Sequence, residues 1–208
     1  MTTAIIGAGN VGQALAHNLL RHGESVVFGV NDPGKHRNAV AALGAAVRAV
    51  GVAEAVAAAP LAILAVPYAA ATEVARVIPD WQGKVLVDAT NPLAPGLAGL
   101  SVGTTNSGAE QVAAAARNAR VVKAFNTTGA ENMADPSYPG GMPIMPVCAD
   151  DAEARAQVMA LAARLGFEAL DCGPLSSARW LEPFAMTWID LAIRRGQGRG
   201  IAFALLRR

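Results

Sequence analysis

The chain is short of the side chains that do most proton transfer and metal binding. It carries three histidines and two cysteines in 208 residues. No His/Cys cluster has metal-ligand spacing, which argues against a zinc or iron–sulfur centre. Cys148 and Cys172 each end an expected strand and read as reduced core thiols, neighbours in space at most, not as a disulfide framework. Charged residues make up only 16% and sum to +1, so there is no basic footprint for nucleic acid. No uncharged apolar run reaches the length of a membrane span. The nearest, residues 55–72, is interrupted by Pro60 and Pro67. No basic leader precedes the first expected strand, so a signal peptide is not expected and a cytoplasmic location is. Aromatics are scarce at 5%, and the 53% hydrophobic content leans on alanine, which suits closely packed helices around a sizeable core.

What the chain does have begins at residue 5. Ile5-Ile6-Gly7-Ala8-Gly9-Asn10-Val11-Gly12 is G-x-G-x-x-G, preceded by an apolar strand and followed by a helical pattern (Val11, Leu15, Leu19, Leu20). Each glycine has a mechanical task. Gly7 permits the tight turn, Gly9 lets a pyrophosphate approach the backbone, and Gly12 lets the helix pack on the sheet. The helix N-terminus offers free N–H groups to phosphate, with Asn10 and Val11 opening it. A dinucleotide is therefore the expected ligand.

Strands and helices alternate through residue 125: strands at 3–6, 25–30, 46–50, 61–66, 84–88 and 120–125, with helices between them. This alternation predicts an α/β protein with a Rossmann-type doubly wound parallel sheet. Two long loops, 90–108 and 126–143, break the rhythm, and loops of that length are usually functional. A small C-terminal α/β extension follows, with strands at 144–149 and 167–171 and helices at 150–166 and 178–195. The expected division is a dinucleotide-binding domain over 1–143 and a smaller unit over 144–208.

Ligands of such sheets bind beyond the carboxyl ends of the strands. Those ends are Gly7–Gly12, Val30–Asp32, Val66–Tyr68, Thr90–Pro92 and Lys123–Asn126, which makes Val66, Pro67, Asn91 and Asn126 candidate cofactor contacts. None supplies a histidine. His17, His22 and His36 read as surface residues. Oxidation of an alcohol, or reduction of a carbonyl, needs a positioned proton acceptor or donor, whereas hydride exchange between two stacked rings needs contact and exclusion of water. The residue types favour the second task. Lys123 is the one ionisable candidate, and its plainer reading is a strand-end lysine reaching solvent or phosphate. At the end of the second strand, Asp32 points to NAD, whereas Asn31, Lys35 and Arg37 could surround the extra phosphate of NADP.

Several segments together resemble the deazaflavin-dependent NADP reductases, that is, the coenzyme F420-dependent NADP oxidoreductases, with the cytosolic domain of six-transmembrane ferric reductases as a relative. They are Ile6–Gly12, Leu64–Tyr68, Asp88–Leu93, Val122–Thr127 and, most distinctively, Asp171–Arg179 with Leu181-Glu182-Pro183. The resemblance spans the whole chain. It implies NADP(H) bound at a Rossmann domain and a C-terminal unit closing the hydride-acceptor site. The acceptor it implies is F420, FMN or FAD. Carried over by position, Gly9, Asn10 and Val11 face the pyrophosphate, Val66 and Pro67 lie beside the cofactor, and Ala124 and Asn126 border the nicotinamide. The turn Gly173–Arg179 lies near the second ring. One departure stands out. The family commonly follows the second strand with Ser or Thr and then Arg, and here those places hold Val30 and Asn31. Lys35 and Arg37 remain for the phosphate.

Two other functions stay open at this level: an NADP(H)-dependent reductase of a small imine or carbonyl, with Lys123 and Asn126 acting on it, and a non-catalytic NADP(H) sensor. The stripe Trp180, Phe184, Trp188, Leu191 reads as core or dimer contact, so a homodimer through the last helix is expected. Glu182 reads as an ion-pair partner of Arg179.

Overall fold

The computed structural model describes residues 1–208. The N-terminal part runs β1 (Thr2–Ile6), α1 (Asn10–Arg21), β2 (Ser25–Gly29), α2 (Pro33–Ala41), β3 (Arg48–Val50), α3 (Val52–Ala57), β4 (Leu61–Leu64), α4 (Tyr68–Arg76), β5 (Val85–Asp88), α5 (Gly108–Ala115) and β6 (Arg120–Lys123). These six strands form one parallel sheet in the order β3-β2-β1-β4-β5-β6. The order reverses at β1, so the crevice for a ligand lies above the carboxyl ends of β1 and β4.

Alternation along each strand feeds two cores. Ile5 faces one side of the sheet with Leu15, Leu19, Phe28 and Val87. Ala4 and Ile6 face the other, with Val27, Leu64, Leu86 and Trp81. Strands buried on both faces explain the uncharged runs read from the sequence.

The C-terminal part runs α6 (Ala130–Ala134), β7 (Ile144–Val147), α7 (Ala152–Arg164), β8 (Glu168–Asp171) and α8 (Ala178–Ile189). Strands β7 and β8 form a separate two-stranded parallel sheet. It is tied to the main sheet through Lys123 and Cys148, which exchange backbone hydrogen bonds of 2.9 and 3.2 Å. The first core continues through Met145, Val147, Val158, Leu161 and Phe167, so the segment after residue 143 shares apolar packing with the segment before it. No helix is long and apolar enough to cross a membrane.

Three local features differ from the sequence reading. The loop 126–143 contains α6, five residues whose buried Ala130 and Met133 pack toward α1. Asn18 of α1 fixes it by donating to the Met133 carbonyl at 2.9 Å. A helix of little more than one turn has no periodicity to read. The expected helix 178–195 is α-helical only to Ile189 and then widens into a π-turn over Asp190–Arg194. The aromatic stripe also splits. Trp188 is buried, whereas Trp180 is 69% exposed, so the stripe as a whole is not core.

Candidate cofactor site

The three glycines of the first turn differ in what surrounds them. Gly7 has φ +106°, a left-handed conformation that disfavours side chains, and a Cβ there would sit 2.6 Å from the Ala65 carbonyl oxygen. A Cβ on Gly12 would sit 2.1 Å from the Gly7 carbonyl oxygen. Gly9 is unlike both: apart from its own chain neighbours, nothing lies within 4 Å of the corresponding point. Gly7 and Gly12 are required by the fold, and Gly9 leaves a face of backbone open to solvent at the start of α1.

That face belongs to a trough of three adjoining cavities. The first, of about 300 Å³, lies above β1 and β2 and is lined by Gly7, Val30, Asn31, Asp32, Lys35 and His36, with Val66 and Pro67 on its far wall. The second, of about 420 Å³, shares Val66 and Pro67 and adds Gly9, Asn10, Val11 and Ala89. The third, of about 350 Å³, shares Asn10 and Val11 and reaches Asn91, Leu93, Asn126, Trp188, Ile189 and Arg199. The trough thus runs from the end of β2, past the glycine turn, to α8.

Ten of the thirteen expected contacts line it: Gly7, Asn31, Lys35, Val66 and Pro67 at one end, Gly9, Asn10 and Val11 in the middle, Asn91 and Asn126 at the other. Three do not. Gly12 is enclosed behind Gly7. Ala124 is fully buried, its N–H donating to the Asp88 carbonyl at 3.3 Å, and it lines none of the cavities. Arg37 is exposed on α2 outside the first cavity. His36, expected on the surface, lines that cavity instead. Trp188, Ile189 and Arg199 also line the trough, although none is among the expected contacts: Trp188 reads from sequence first as core or dimer contact and only secondarily as a wall against the acceptor ring, and Arg199 first as a solvated tail residue. They lie 65 to 76 residues beyond Lys123, the last strand end of the main sheet, and only tertiary packing brings them back.

At the far end the two asparagines lock each other. Asn91 Nδ2 donates to the Asn126 carbonyl at 2.8 Å, and Asn126 Nδ2 donates to Asn91 Oδ1 at 2.9 Å and to the Leu181 carbonyl at 3.3 Å. Asn126 Oδ1 is buried with no partner in the protein. The preceding Phe125 is fully buried with φ +57°, an unusual backbone state for a bulky residue. Its ring packs edge-on against Phe167 at 6.2 Å, and its N–H points at Met145 Sδ at 3.0 Å, which holds the turn that presents Asn126.

Beneath this end lies a buried ionic cluster, and it corrects two sequence expectations. Lys123 reaches neither solvent nor ligand: it is fully buried, with Nζ 2.9 Å from Asp88 Oδ2, 3.0 Å from Glu182 Oε1 and 2.5 Å from the Thr90 carbonyl. All three ammonium hydrogens have acceptors. Burial pulls its pKa down, but Asp88 and Glu182 outweigh that, and the value lies above the ordinary lysine range. Glu182 does not pair with Arg179, which forms its ion pair with Glu110 at 2.6 Å. Glu182 instead accepts the N–H groups of Gly108 and Ala109 at 2.9 and 3.0 Å, the free donors at the start of α5. Burial raises the Tyr68 hydroxyl's pKa, with Glu182 and Asp88 adding to the effect. Burial also pushes the Cys148 thiol up to about 12, so it stays protonated. Both cysteines are free.

Residues 2–92 match the family model described as NADP oxidoreductase, coenzyme F420-dependent. The F420-dependent NADP reductase of Methanothermobacter marburgensis is 31% identical over 210 residues, covering 93% of each protein. The chain belongs to the F420-dependent NADP reductase family. It is therefore a member of a family of NADP(H)-binding oxidoreductases. A structure from Arthrobacter sp. FB24, provisionally named an F420-dependent NADP reductase, superposes with a TM-score of 0.82 at 29% identity over 99% of both chains. The metalloreductase STEAP3 of Rattus norvegicus is 30% identical over 178 residues, but the chain spans only 35% of that protein's length.

Proposed function

We propose that the trough holds NADP(H) and that this reductase-family chain passes hydride between it and a flat deazaflavin or flavin acceptor lying against α8. The residues fit a dinucleotide. Gly9 leaves room for a pyrophosphate that any side chain there would fill, and Asn10 and Val11 present the first N–H groups of α1 to its charge. Asn91 and Asn126 offer amides at the nicotinamide end, including the unpartnered Asn126 Oδ1. The bound nicotinamide supplies or receives the hydride. The residues 144–208 contribute the wall that closes this end, and the exposed Trp180 fits the reading of α8 as a homodimer contact.

One observation carries the choice of acceptor. The third cavity contains no proton donor or acceptor suited to carbonyl or imine chemistry. Its lining is Val, Leu, Ala, Ile, Gly, Trp, Asn and Thr, and its single ionisable residue is Arg199, which does not deprotonate. Lys123, the candidate that would have served a small-substrate reductase, is sealed beneath it. Exchange between two rings needs no such group: the apolar wall excludes water and holds the rings in contact. The fold carries the same division of labour into its loops, because both long loops border this cavity. Stopped-flow absorbance of NADPH oxidation in the presence of coenzyme F420, FMN, FAD or a ferric chelate tests the reading. Rapid oxidation by the deazaflavin or a flavin is expected. NADPH bound but oxidised by none of the four would overturn it in favour of a sensor or a small-substrate reductase.

A further inference from the structure

We propose that His36, together with Lys35, is the determinant by which this chain recognises the ribose 2′-phosphate of its dinucleotide. The inference rests on the reading that the trough holds NADP(H). The first cavity is apolar over most of its wall, with Ile6, Val30, Val52, Val66 and Val74. Its polar side chains are four: Asn31, Asp32, Lys35 and His36. Asp32 is committed to the fold, because its Oδ1 accepts the Lys35 N–H at 3.1 Å and caps α2. That fixes a negative charge beside the place where a phosphate would sit. Anything that recognises the phosphate must outweigh it. Asn31 brings a neutral amide where the family commonly has arginine. Arg37, the only other nearby cation on α2 that sequence reasoning favoured, lies outside the cavity.

Lys35 and His36 remain. Neither side chain has an ion pair or a hydrogen bond within the protein, so both are free to donate to a ligand. Lys35 is exposed, a mobile ammonium that gives up rotamer freedom when it binds. His36 is half-buried at the cavity wall, and its short side chain has fewer rotatable bonds to freeze than the lysine when a ring N–H meets a ligand. A donor with less freedom to give up loses less on binding. The two consecutive residues thus replace the missing arginine fork with a long, mobile charge and a shorter, less mobile donor.

The test is the binding of adenosine 2′,5′-bisphosphate and adenosine 5′-monophosphate, measured by calorimetry on the purified full chain. These probes report on the adenosine end without engaging the acceptor end. The wild type should prefer the bisphosphate. His36→Ala and Lys35→Gln should each lower that preference roughly three- to tenfold, the loss expected of a charge-assisted contact at a partly exposed site. Asp32→Asn should raise it. Both positions lie on the surface face of a short helix, and thermal melting confirms that the variants are folded. A preference unchanged in both His36→Ala and Lys35→Gln, or lowered more by Arg37→Gln than by His36→Ala, overturns the proposal. A wild type that binds neither nucleotide removes the underlying reading of the trough, a result distinct from an unchanged ratio.

Discussion

The carboxyl ends of β6 and β2 border opposite ends of one trough, and they handle charge in opposite ways. At the β6 end Lys123, Asp88 and Glu182 are buried together and every ammonium hydrogen is used within the protein. At the β2 end Lys35 and His36 have no protein partner and face an open cavity. The first arrangement spends its charges on architecture. It joins β5, β6, the N-terminus of α5 and α8 at one point, and so fixes the wall against which an acceptor would rest. The second leaves the Lys35 and His36 side chains without protein partners, where the ligand proposed above could reach them. A residue type alone does not tell these apart: Lys123 and Lys35 are both lysines beside a strand end.

The comparison breaks most visibly at Glu182. Glu182→Ala removes a carboxylate that neutralises Lys123 and caps α5, leaving a buried ammonium with one carboxylate fewer and two unpaired helix N–H groups. Loss of one partner of a buried ion pair costs about 3–5 kcal/mol. For a chain of this size that is a fall in Tm of roughly 6–20 °C. Lys123→Met should do at least as much harm, because it leaves the buried Asp88 and Glu182 carboxylates facing each other without their counter-ion. Lys35→Met should leave Tm within about 1 °C, as expected for an exposed site. The pH dependence has a definite sign. A lysine whose folded pKa is raised contributes its full stabilisation below the ordinary value of 10.5 and loses it as pH climbs through the higher folded value. Unfolding midpoints of the wild type should therefore show no loss from Lys123 near neutrality and a fall only in strong alkali, a fall that Lys123→Met lacks. A Lys123→Met protein with the same alkaline limb as the wild type would refute this account.

The glycine turn makes the same distinction within six residues. Gly12→Ala forces a Cβ to 2.1 Å from a backbone oxygen that cannot move aside. It should cost about 1–3 kcal/mol or more, as overpacking does, with a matching loss in Tm. A Cβ at Gly9 meets no atom within 4 Å beyond its own chain neighbours, which leaves open space for the valine of Gly9→Val, and the backbone there is extended, with φ −77°. Its Tm should stay near that of the wild type, while NADPH affinity falls at least tenfold because the side chain fills the approach to the backbone. Unchanged affinity in a folded Gly9→Val protein would remove the pyrophosphate site from this turn.

These contrasts mark how much the sequence discloses. The parallel sheet, its strand ends and the glycine turn were legible because each depends on a local pattern: apolar alternation, a strand–turn–helix junction, glycines at fixed spacing. Ten of the expected contacts line the trough for that reason. The misread residues are those whose role depends on what comes back from afar. Nothing near Lys123 in sequence announces Glu182, fifty-nine residues later, and without it a strand-end lysine reads as solvent-facing. Glu182 sits three residues from Arg179, an ordinary helical pairing distance, yet the helix turns it inward to α5. His36 reads as one more polar residue on a surface helix, because nothing local in the sequence shows that a cavity opens beside α2. The π-turn after Ile189 carried no signal either.

Cysteine chemistry offers a smaller test of the buried end. Cys148 is enclosed and its thiol is held protonated by burial, with a pKa of about 12. Thiolate is the nucleophile, so folded protein at neutral pH should leave Cys148 unmodified by iodoacetamide over hours, and denatured protein should be labelled at both positions. Mass spectrometry of the folded sample showing rapid labelling at Cys148 would mean that the end of β7 opens readily, and that the ionic cluster beside it is less fixed than its hydrogen bonds indicate.

The smallest expected effect is the one that sharpens the comparison at the open end. Asn31→Arg restores the arginine that the family commonly carries after its second strand. Asn31 is exposed at the cavity rim, so the longer side chain enters solvent and no packing is lost. A guanidinium there can grip a phosphate with two parallel N–H donors, which an amide cannot. Asp32 next to it works against the gain by offering the arginine a competing carboxylate. The two effects partly cancel, and the net should be about 0.5–1 kcal/mol, the scale of an exposed ion pair. That is a two- to fivefold tightening for NADPH with NADH left as it was. If both cofactors tighten equally, the new charge is acting on the shared pyrophosphate and the end of β2 does not hold the 2′-phosphate. If neither changes, Asp32 has captured the arginine, and the double variant Asn31→Arg with Asp32→Asn should release it.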